Sequence, residues 1–458
     1  MIKRFIFKHF IAPRIVKEYT RWYFETRDWK KADWRNWVAE EFEKLKRSSW
    51  TLKHYPQLKD TTFEDLSSFP ISEEYKEAPK NFPAVITYKS TGTKAQKIIK
   101  LSKGDIRKAL LGVGRHIWLI KGEPRFKCGL YMGFPGLASE EFLSYASYIV
   151  SKKSMFIIAG QWRDYVNEII KRAPFDFMSL PLPYFVDFLK NFKEDIYDDI
   201  SFWTTWGDVM TEYIRGLFMQ KSKELKKIFY TVDLYGVSEC LYAATELPPN
   251  VTKQMQYMPE TNIMLIKKEN SEIINIFDAK SGDRGEVLLT PLFDYMVPNY
   301  PLYDIIEIVN DESPFGLPTL RVLGRKGISI DMELKTLGHI RGYYSIYVRI
   351  MGIIIDGYEY TRLLGTKFGT DHITLIEEKK GRVILRTYTE RFVAREDLIE
   401  AIRKDKKLYY LYDDIKNSLL DVELIADPQV INEVKEYYYT RYGSQATIPR
   451  IIILRREE

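Results

Sequence analysis

The chain has 458 residues, of which 45% are hydrophobic and 14% aromatic. A chain of this length normally folds into two or more domains. The composition is that of a globular protein with a large apolar interior, which excludes disordered and fibrous classes. The 69 basic and 63 acidic residues leave a formal net charge of only +6. This near balance, without a concentrated Lys/Arg run, argues against dedicated nucleic-acid binding.

The cysteine content and the first residues indicate the cellular location. Cys128 and Cys240 are isolated thiols that form neither a disulfide framework nor a zinc site, so we expect a cytoplasmic protein. Met1–Ile11 mixes basic and apolar residues and lacks a small-residue cleavage site. We expect this segment to be a helix packed on the body, with a helix lying on a membrane surface as the alternative. No stretch approaches 18 apolar residues, so no transmembrane segment is expected.

The first part of the chain is predicted to be mainly helical. Large apolar residues recur at three- and four-residue spacing over Ile15–Leu52, and Pro56 ends the pattern. A short helix with a proline stop is predicted over Thr61–Pro70. A strand, a loop and a helix are predicted next, over Ala84–Tyr88, Ser90–Lys97 and Ser102–Leu111 respectively.

The rest of the chain alternates strand-like and helix-like segments, which favours an α/β fold. We expect a large N-terminal domain of mixed sheets with helices, residues 1–324, and a smaller, mobile α+β domain, residues 325–458. The hinge is placed near residues 324–330. The predicted strands are Ser154–Gly160, Lys226–Val232, Asn262–Ile266, Glu272–Phe277, Gly285–Thr290, Arg382–Thr387 and Ile451–Leu454, and the predicted late helices are Arg395–Lys404 and Gln429–Tyr438.

Four short motifs follow one another in the N-terminal part. They are Ser90-Thr91-Gly92-Thr93 with the nearby Lys97, then Tyr235-Gly236-Val237-Ser238-Glu239, then Tyr300-Pro301-Leu302-Tyr303-Asp304, and finally Gly324-Arg325. Each motif alone is a weak signal and is more often an ordinary turn or surface loop. The first motif follows a predicted strand, and its hydroxyls and backbone N–H groups suit phosphate oxygens. The P-loop pattern does not fit it.

In this order, the motifs resemble those of the adenylate-forming superfamily of acyl-activating enzymes. The most similar branches are the phenylacetate-CoA ligases and the GH3 acyl-acid amido synthetases. The resemblance extends over about residues 60–333 and implies the adenylate-forming fold. It also implies an ATP- and Mg²⁺-dependent ligase that activates a small-molecule carboxylic acid as acyl-adenylate and passes the acyl group on.

The resemblance assigns a role to each motif. Ser90, Thr91, Gly92, Thr93 and Lys97 would bind the phosphates of ATP. Within the second motif, Tyr235 would stack on adenine, Ser238 would contact the α-phosphate, and Glu239 would help hold Mg²⁺. Gly236 would be a further nucleotide-binding residue. Asp304 would accept hydrogen bonds from the ribose hydroxyls, and Arg325 would contact ribose or phosphate. These types suit their tasks, since a flat ring stacks on a base and a hard cation prefers carboxylate oxygen.

The chain departs from the family pattern at several positions. Lys94-Ala95-Gln96 replaces a longer stretch with a second Gly, and Pro301 and Tyr303 stand where the family has Arg and Gly. Thr447 stands near the position of the late catalytic Lys. Either another base such as Lys435 or Arg441 takes its place, or adenylation does not depend on that lysine, so no catalytic residue is assigned.

The acyl pocket is expected between the phosphate loop and the Tyr235 motif. Tyr131, Gly133 and Phe134 are its candidate lining residues, although apolar residues of this kind are more often plain core. Coenzyme A is the expected acceptor. An amine acceptor, as in the GH3 enzymes, is the first alternative, and a non-catalytic adenylate-forming fold that serves as a ligand-binding or partner module is the second. The sequence leaves a homodimer open.

Overall fold

The computed structural model describes most of the chain. The described ranges are 11–89, 97–133, 138–158, 174–181, 185, 200–206, 212–227, 230–247, 254–313, 315–345, 347–350, 353–379, 382–442 and 450–454. Four predictions lie outside these ranges: the N-terminal helix over Met1–Ile11 except for its last residue, the motif Ser90–Thr93, Phe134 and Thr447.

Helices form the first part of the chain, as the apolar spacing predicts. They are α1 (Ala12–Thr26), α2 (Lys31–Leu45) and α3 (Ser49–His54), followed by short 3₁₀ helices at Pro56–Lys59 and Glu64–Ser68. The buried apolar side chains of the first two helices are Ala12, Tyr19, Trp34, Val38 and Phe42. Because these residues pack on the main core cluster, the helices are part of the large domain.

A hairpin and a long helix follow. The hairpin consists of β1 (Ile86–Lys89) and β2 (Ile98–Leu101), which pair antiparallel with Lys89 opposite Ile98. The helix α4 (Lys103–Lys121) begins with a capping box, in which Ser102 and Asp105 bond each other's backbone N–H groups. Gly122 ends it in the left-handed conformation, with φ of 70°.

A five-stranded parallel arrangement occupies the centre of the large domain. Its strands are β3 (Phe126–Gly133), β4 (Ser151–Ile158), β5 (Phe177–Pro181), β6 (Phe202–Trp206) and β7 (Tyr230–Tyr235), and its helices are α5 (Ala138–Val150) and α6 (Glu212–Glu224). The order is β4-β3-β5-β6-β7. Parallel strands carry their ligands at the carboxyl edge, so the ends of β3 and β7 lie on the edge where a site is expected.

Antiparallel strands complete the large domain. They are β8 (Ala244–Glu246), β9 (Met255–Tyr257), β10 (Asn262–Lys267), β11 (Ile273–Asn275), β12 (Arg284–Pro291), β13 (Tyr300–Asn310) and β14 (Thr319–Leu334). The pairing runs from β7 through β8 and β9 to β14, then through β13 and β12 to β10 and β11. The sheet therefore brings β13 back toward the turn that follows β7.

The C-terminal part is α+β. Its elements are β15 (Gly338–Ser345), β16 (Tyr347–Ile350), β17 (Ile353–Asp356), α7 (Gly357–Leu363), a π-helix (Leu364–Phe368), β18 (His372–Lys379), β19 (Arg382–Thr389), α8 (Arg395–Lys404), α9 (Tyr409–Lys416), β20 (Leu420–Ala426), α10 (Pro428–Tyr442) and β21 (Ile451–Leu454). Its main sheet has the order β15-β21-β18-β19-β20.

The strand β14 belongs to both parts of the molecule. It pairs with β13 up to Arg325 and with β15 from Lys326 onward. The largest core cluster takes its residues from positions up to Val322, and two others begin at Ile330 and Val348. The change of core thus falls within the predicted hinge region, although a continuous strand runs through it. Movement about this point stays a prediction.

The sequence-based elements agree with the structure for most of the chain. The predicted strand Lys226–Val232 is displaced, since β7 begins only at Tyr230. The strand near Ser154 begins earlier than predicted, at Ser151, because it follows α5 directly. Among the helices of the described ranges, none combines the length and the apolar character that crossing a bilayer requires.

Candidate active site at the end of strand β7

The motif Tyr235–Glu239 forms a tight turn where β7 ends. Val237 N–H donates to the carbonyl of Leu241, and Ala243 N–H donates to that of Tyr235. Leu241 adopts a left-handed φ of 72°, which lets the chain reverse and enter β8. A Cβ built on Gly236 would meet the Leu241 carbonyl oxygen at 3.6 Å, an ordinary contact. The turn itself therefore does not require glycine at this position.

The β1–β2 hairpin contacts this turn through two residues, one in β1 and one just before β2. The hydroxyl of Tyr88, in β1, donates to the Ser238 carbonyl oxygen at 2.5 Å. Lys97, just before β2, forms an ion pair with the Glu239 carboxylate. In the sequence, the predicted phosphate motif lies between Tyr88 and Lys97, and both of these residues contact the Ser238–Glu239 segment.

The ion pair of Lys97 and Glu239 joins residues that are 142 positions apart. The exposed fractions of the two side chains are 14% and 8%, so water screens the pair weakly. Burial lowers the pKa of Lys97, but the Glu239 carboxylate more than offsets this effect and raises that pKa above its usual range. Lys97 is therefore a fixed positive charge beside a buried carboxylate.

Tyr235 and Asp304 form the second contact between motifs. The Tyr235 hydroxyl donates a hydrogen bond of 2.6 Å to Asp304 Oδ2, across 69 positions of sequence. Both residues are buried. Asp304 lies in β13, opposite Arg325 of β14 in the antiparallel register. The structure thus brings the backbones of Asp304 and Arg325 together, while the role of the Arg325 side chain stays a prediction.

The two contacts belong to one site because β13 reaches both of them. Lys97 Nζ lies 4.2 Å from the centre of the Tyr300 ring, and Tyr300 is four residues before Asp304 in the same strand. Tyr235 and Glu239 are likewise four residues apart in the same turn. Lys97 also lies 5.5 Å from the Tyr75 ring centre. The cation is therefore held over two aromatic faces as well as against a carboxylate.

Backbone strain occurs at Tyr303, a position where the sequence departs from the motif that it resembles. Tyr303, which stands where the family has Gly, adopts a left-handed φ of 63°. A bulky residue rarely adopts this conformation, while glycine does so without a steric penalty. The fold therefore keeps the glycine-like backbone next to Asp304 although the residue is Tyr. Such strain is typical of functional sites that the surrounding structure holds in place.

A second layer of polar residues supports β7 from behind. The Glu246 carboxylate accepts a hydrogen bond of 2.8 Å from Asp233 N–H and pairs with Arg215 of α6. Thr205 in β6 donates to Asp233 Oδ1 at 3.2 Å. Arg215, Asp233 and Glu246 are all well shielded from water. This network fixes the end of the strand that presents Tyr235.

Of the two predicted acyl-pocket residues that the structure describes, Gly133 lies at the edge of the sheet where β7 ends and Tyr131 does not. Gly133 is the last residue of β3 and pairs with Ile158 of β4. Tyr131 lies deeper in β3, where its ring packs near Phe177 and its hydroxyl bonds Ser151 Oγ at 2.6 Å. Tyr131 is thus part of a small core cluster, and its role in acyl binding stays a prediction.

The sequence does not predict five residues of the site: Tyr75 and Tyr300 as contacts of Lys97, Tyr88 as a contact of Ser238, and Arg215 and Glu246 as supports of β7. Tyr88 could have been found, because it precedes the phosphate motif by two residues at the end of a predicted strand. The others have no local signal, since their roles arise from contacts over long sequence separations. Lys435, considered as a substitute for the late lysine, pairs with Asp371 at 2.8 Å and Glu390 at 3.4 Å in the C-terminal part.

The residues present fit a magnesium–nucleotide complex. Mg²⁺ is usually bound through one or two carboxylates plus substrate phosphates and water, so a single glutamate suffices on the protein side. Glu239 is a buried carboxylate that already holds a cation, the Lys97 ammonium. Within the described ranges, no three His, Cys, Asp or Glu side chains converge into a cluster of their own.

Comparisons with known proteins identify the fold. Neither a protein-family model nor a curated protein sequence matches the chain. The structure is similar to 2-hydroxyisobutyryl-CoA ligase in the postadenylation state, with a TM-score of 0.60, 13% identity and 87% of both chains covered. The same ligase in the thioesterification state gives a TM-score of 0.54, with 13% identity over 87% of this chain and 88% of that one.

A second kind of acid-activating protein is similar over a larger share of the chain. The acyl acid amido synthetase AtGH3.15, in complex with 2,4-DB, has a TM-score of 0.59 and 11% identity, and the match covers 96% of this chain and 98% of that one. Similarity at such low identity establishes the fold. The chain therefore has the fold of this CoA ligase and of this acyl acid amido synthetase, and the fold predicted from the sequence is confirmed.

Proposed function

We propose that the protein is an ATP- and Mg²⁺-dependent ligase that activates a carboxylic acid as acyl-adenylate and transfers the acyl group to coenzyme A. The observation that carries this proposal is the convergence of Lys97, Glu239, Tyr235 and Asp304 at one end of β7. These residue types come from three separate motifs. Their meeting supports a common ligand with an aromatic base, a ribose and phosphates.

Activation requires two anions to meet. A carboxylate oxygen of the acid forms a bond to the α-phosphorus of ATP, while the bond from that phosphorus to the bridging β-phosphate oxygen breaks and pyrophosphate leaves. Lys97 would neutralise charge on the phosphates, since it follows the phosphate motif by four residues in the sequence and its ammonium is held against Glu239. Tyr235 would stack on the base, and Asp304 would hold the ribose, so that the α-phosphate is fixed relative to the acid.

Glu239 would hold Mg²⁺, which when bound neutralises phosphate charge and polarises the phosphoryl oxygens. In the structure, this carboxylate is paired with Lys97. The lysine therefore serves as the counter-ion of Glu239, and it would contact the nucleotide phosphates when Glu239 holds the metal instead. Gly236 would allow close approach of the nucleotide, because the turn does not otherwise require glycine.

In the second step, the thiol sulfur of coenzyme A attacks the acyl carbonyl, the bond to the adenylate oxygen breaks, and AMP leaves while the thiol proton is released. The similarity to a CoA ligase in two states supports this acceptor. An amine acceptor is the second candidate, because the similarity to AtGH3.15 acyl acid amido synthetase covers almost the whole of both chains. The chemistry of activation is the same in both cases.

The proposal is tested by AMP release with a panel of aryl and fatty acids, with coenzyme A or with a mixture of amino acids. A thioester product would establish the CoA acceptor, and an amide product would establish the amine alternative. Glu239→Gln should abolish metal-dependent AMP release. Glu41→Gln is the matched control, because it also removes a shielded carboxylate paired with lysine, in α2 away from the site. Near wild-type activity of Glu239→Gln would contradict the metal assignment.

A further inference from the structure

We propose that Arg284 and Asp356 form a latch between the two parts of the molecule, which holds the C-terminal part in its adenylating arrangement. Arg284 lies in β12 of the large domain, and Asp356 ends β17 in the C-terminal part. Arg284 Nη1 lies 3.2 Å from Asp356 Oδ2. The inference rests on the proposed function for its consequence in catalysis, but the latch itself is a matter of conformation.

Charges around the pair favour the observed contact. Arg284 also lies 3.3 Å from Glu307, which in turn bonds Arg321 Nε at 2.7 Å. The Arg284 guanidinium therefore contacts a carboxylate of its own part through Nη2 and the carboxylate of the other part through Nη1. The exposed fractions of Arg284 and Asp356 are 28% and 11%, so the pair is partly shielded from solvent.

Asp356 also organises the segment that docks on the large domain. Its Oδ1 accepts a hydrogen bond of 3.0 Å from Glu359 N–H and thereby caps α7. The helix α7 continues into the π-helix Leu364–Phe368, and both pack against α6 of the large domain. Single-turn π-helices inside α-helices frequently mark functional positions. The docking segment Asp356–Phe368 is therefore held at one end by an ion pair and at the other by helix packing.

The docking segment connects to the candidate site through α6. Arg215 of α6 pairs with Glu246, and Glu246 accepts from Asp233 N–H, two residues before Tyr235. The helix that receives the C-terminal part is thus the helix that supports the site strand. The TM-score is 0.60 against the postadenylation state of 2-hydroxyisobutyryl-CoA ligase and 0.54 against its thioesterification state. We therefore take the observed arrangement as the adenylating one.

Two variants break the latch without disturbing the fold. Asp356→Asn removes the charge, and asparagine remains a good helix cap for α7. Arg284→Gln removes the cation, and Glu307 keeps Arg321 as its partner. Arg386→Gln is the matched control, since Arg386 has a similar exposure of 26% and pairs with Glu377 and Glu423 inside the C-terminal part.

The conformation is measured by electron–electron resonance between spin labels on Val85→Cys and Phe392→Cys. These positions are exposed by 58% and 83%, and the native Cys128 and Cys240 are buried. We expect one main distance in the otherwise unchanged protein. In Asp356→Asn and Arg284→Gln, the ratio of a second population to the main one should rise about two- to fivefold, the range for a partly exposed ion pair. Arg386→Gln should leave the distribution unchanged.

The double variant Arg284→Gln/Asp356→Asn decides whether the two residues act on each other. For a latch, its distribution should equal that of either single variant. Additive shifts would overturn the proposal, as would single variants that match the Arg386→Gln control. In catalysis, the latch variants should slow ATP–pyrophosphate exchange more than acyl transfer from a supplied acyl-adenylate. If no acid supports exchange in the parent protein, the proposed function fails while the distances still decide the latch.

Discussion

Removing the positive charge of Lys97 tests the site before any substrate is known. The substitution Lys97→Met keeps a chain of similar length over the Tyr300 ring but leaves the buried Glu239 carboxylate without the ammonium. With the metal role proposed for Glu239, Lys97 and Mg²⁺ would compete for this carboxylate in the parent protein. We therefore expect the variant to be less stable without magnesium and to bind the metal more readily.

The magnitude follows from the burial of the pair. Removing one partner of a buried ion pair costs about 3–5 kcal/mol. Because the exposed fractions of Lys97 and Glu239 are 14% and 8%, we expect a loss near the lower end, about 3 kcal/mol. Magnesium at ten times its dissociation constant should return about 1.4 kcal/mol to the variant through binding to the folded state.

The assay is the denaturant midpoint with and without MgCl₂, at matched ionic strength. Lys108→Met is the control, because Lys108 pairs with Glu41 at 3.0 Å at a similar exposure, in a place where no metal is expected. Both variants should lose stability, but only Lys97→Met should regain it with magnesium. Adding Glu239→Gln to Lys97→Met should abolish the magnesium effect. Equal magnesium responses of the Lys97 and Lys108 variants would refute the reasoning.

Three further changes test other parts of the account. Asp304→Asn retains an oxygen for the Tyr235 hydroxyl but removes the charge, so calorimetry should show ATP affinity reduced roughly 10- to 100-fold; an unchanged affinity would exclude the ribose role. Gly236→Ala should leave the melting temperature unchanged or raise it, because the turn has room for a Cβ, and yet should weaken ATP binding. Normal ATP binding by this variant would show that the nucleotide does not approach the Gly236 backbone closely. Burial lowers the pKa of His116 to about 3, so the unfolded chain takes up its proton first as pH falls below 6.5. This group should therefore lower the free energy of unfolding by about 2 kcal/mol between pH 7 and 5. In His116→Gln the free energy of unfolding should depend less on pH over this range, and an unchanged pH dependence would contradict the prediction.

The fold could be predicted where apolar spacing and local capping agree. The helix after Ser102 was predicted from its polar start, and the structure adds the reciprocal bonds of Ser102 and Asp105 that fix it. The sequence predicts a strand over Lys226–Val232, whereas β7 covers Tyr230–Tyr235. The prediction starts too early because the residues from Lys226 onward are strand-like, although the chain makes a turn at Lys226, where φ is 50°. Pairing order was beyond the sequence, since it depends on contacts between distant segments.

The candidate site could be predicted by motif order but not by contact. Lys97, Tyr235, Glu239 and Asp304 were named from the sequence, and the structure brings them together in two contacts joined by β13. The sequence does not predict the contact between Lys97 and Glu239, because its motifs assign Lys97 to the phosphates and Glu239 to the metal. The left-handed backbone at Tyr303 was also unforeseen, since the residue itself gives no sign of it.

ATP–pyrophosphate exchange, measured with Mg²⁺ across a panel of aryl and fatty acids, tests the central claim most directly. We expect exchange that depends on the acid and is lost in Glu239→Gln. Absence of exchange with every acid, while calorimetry shows intact ATP binding, would contradict catalysis and leave a nucleotide-binding protein with an adenylate-forming fold.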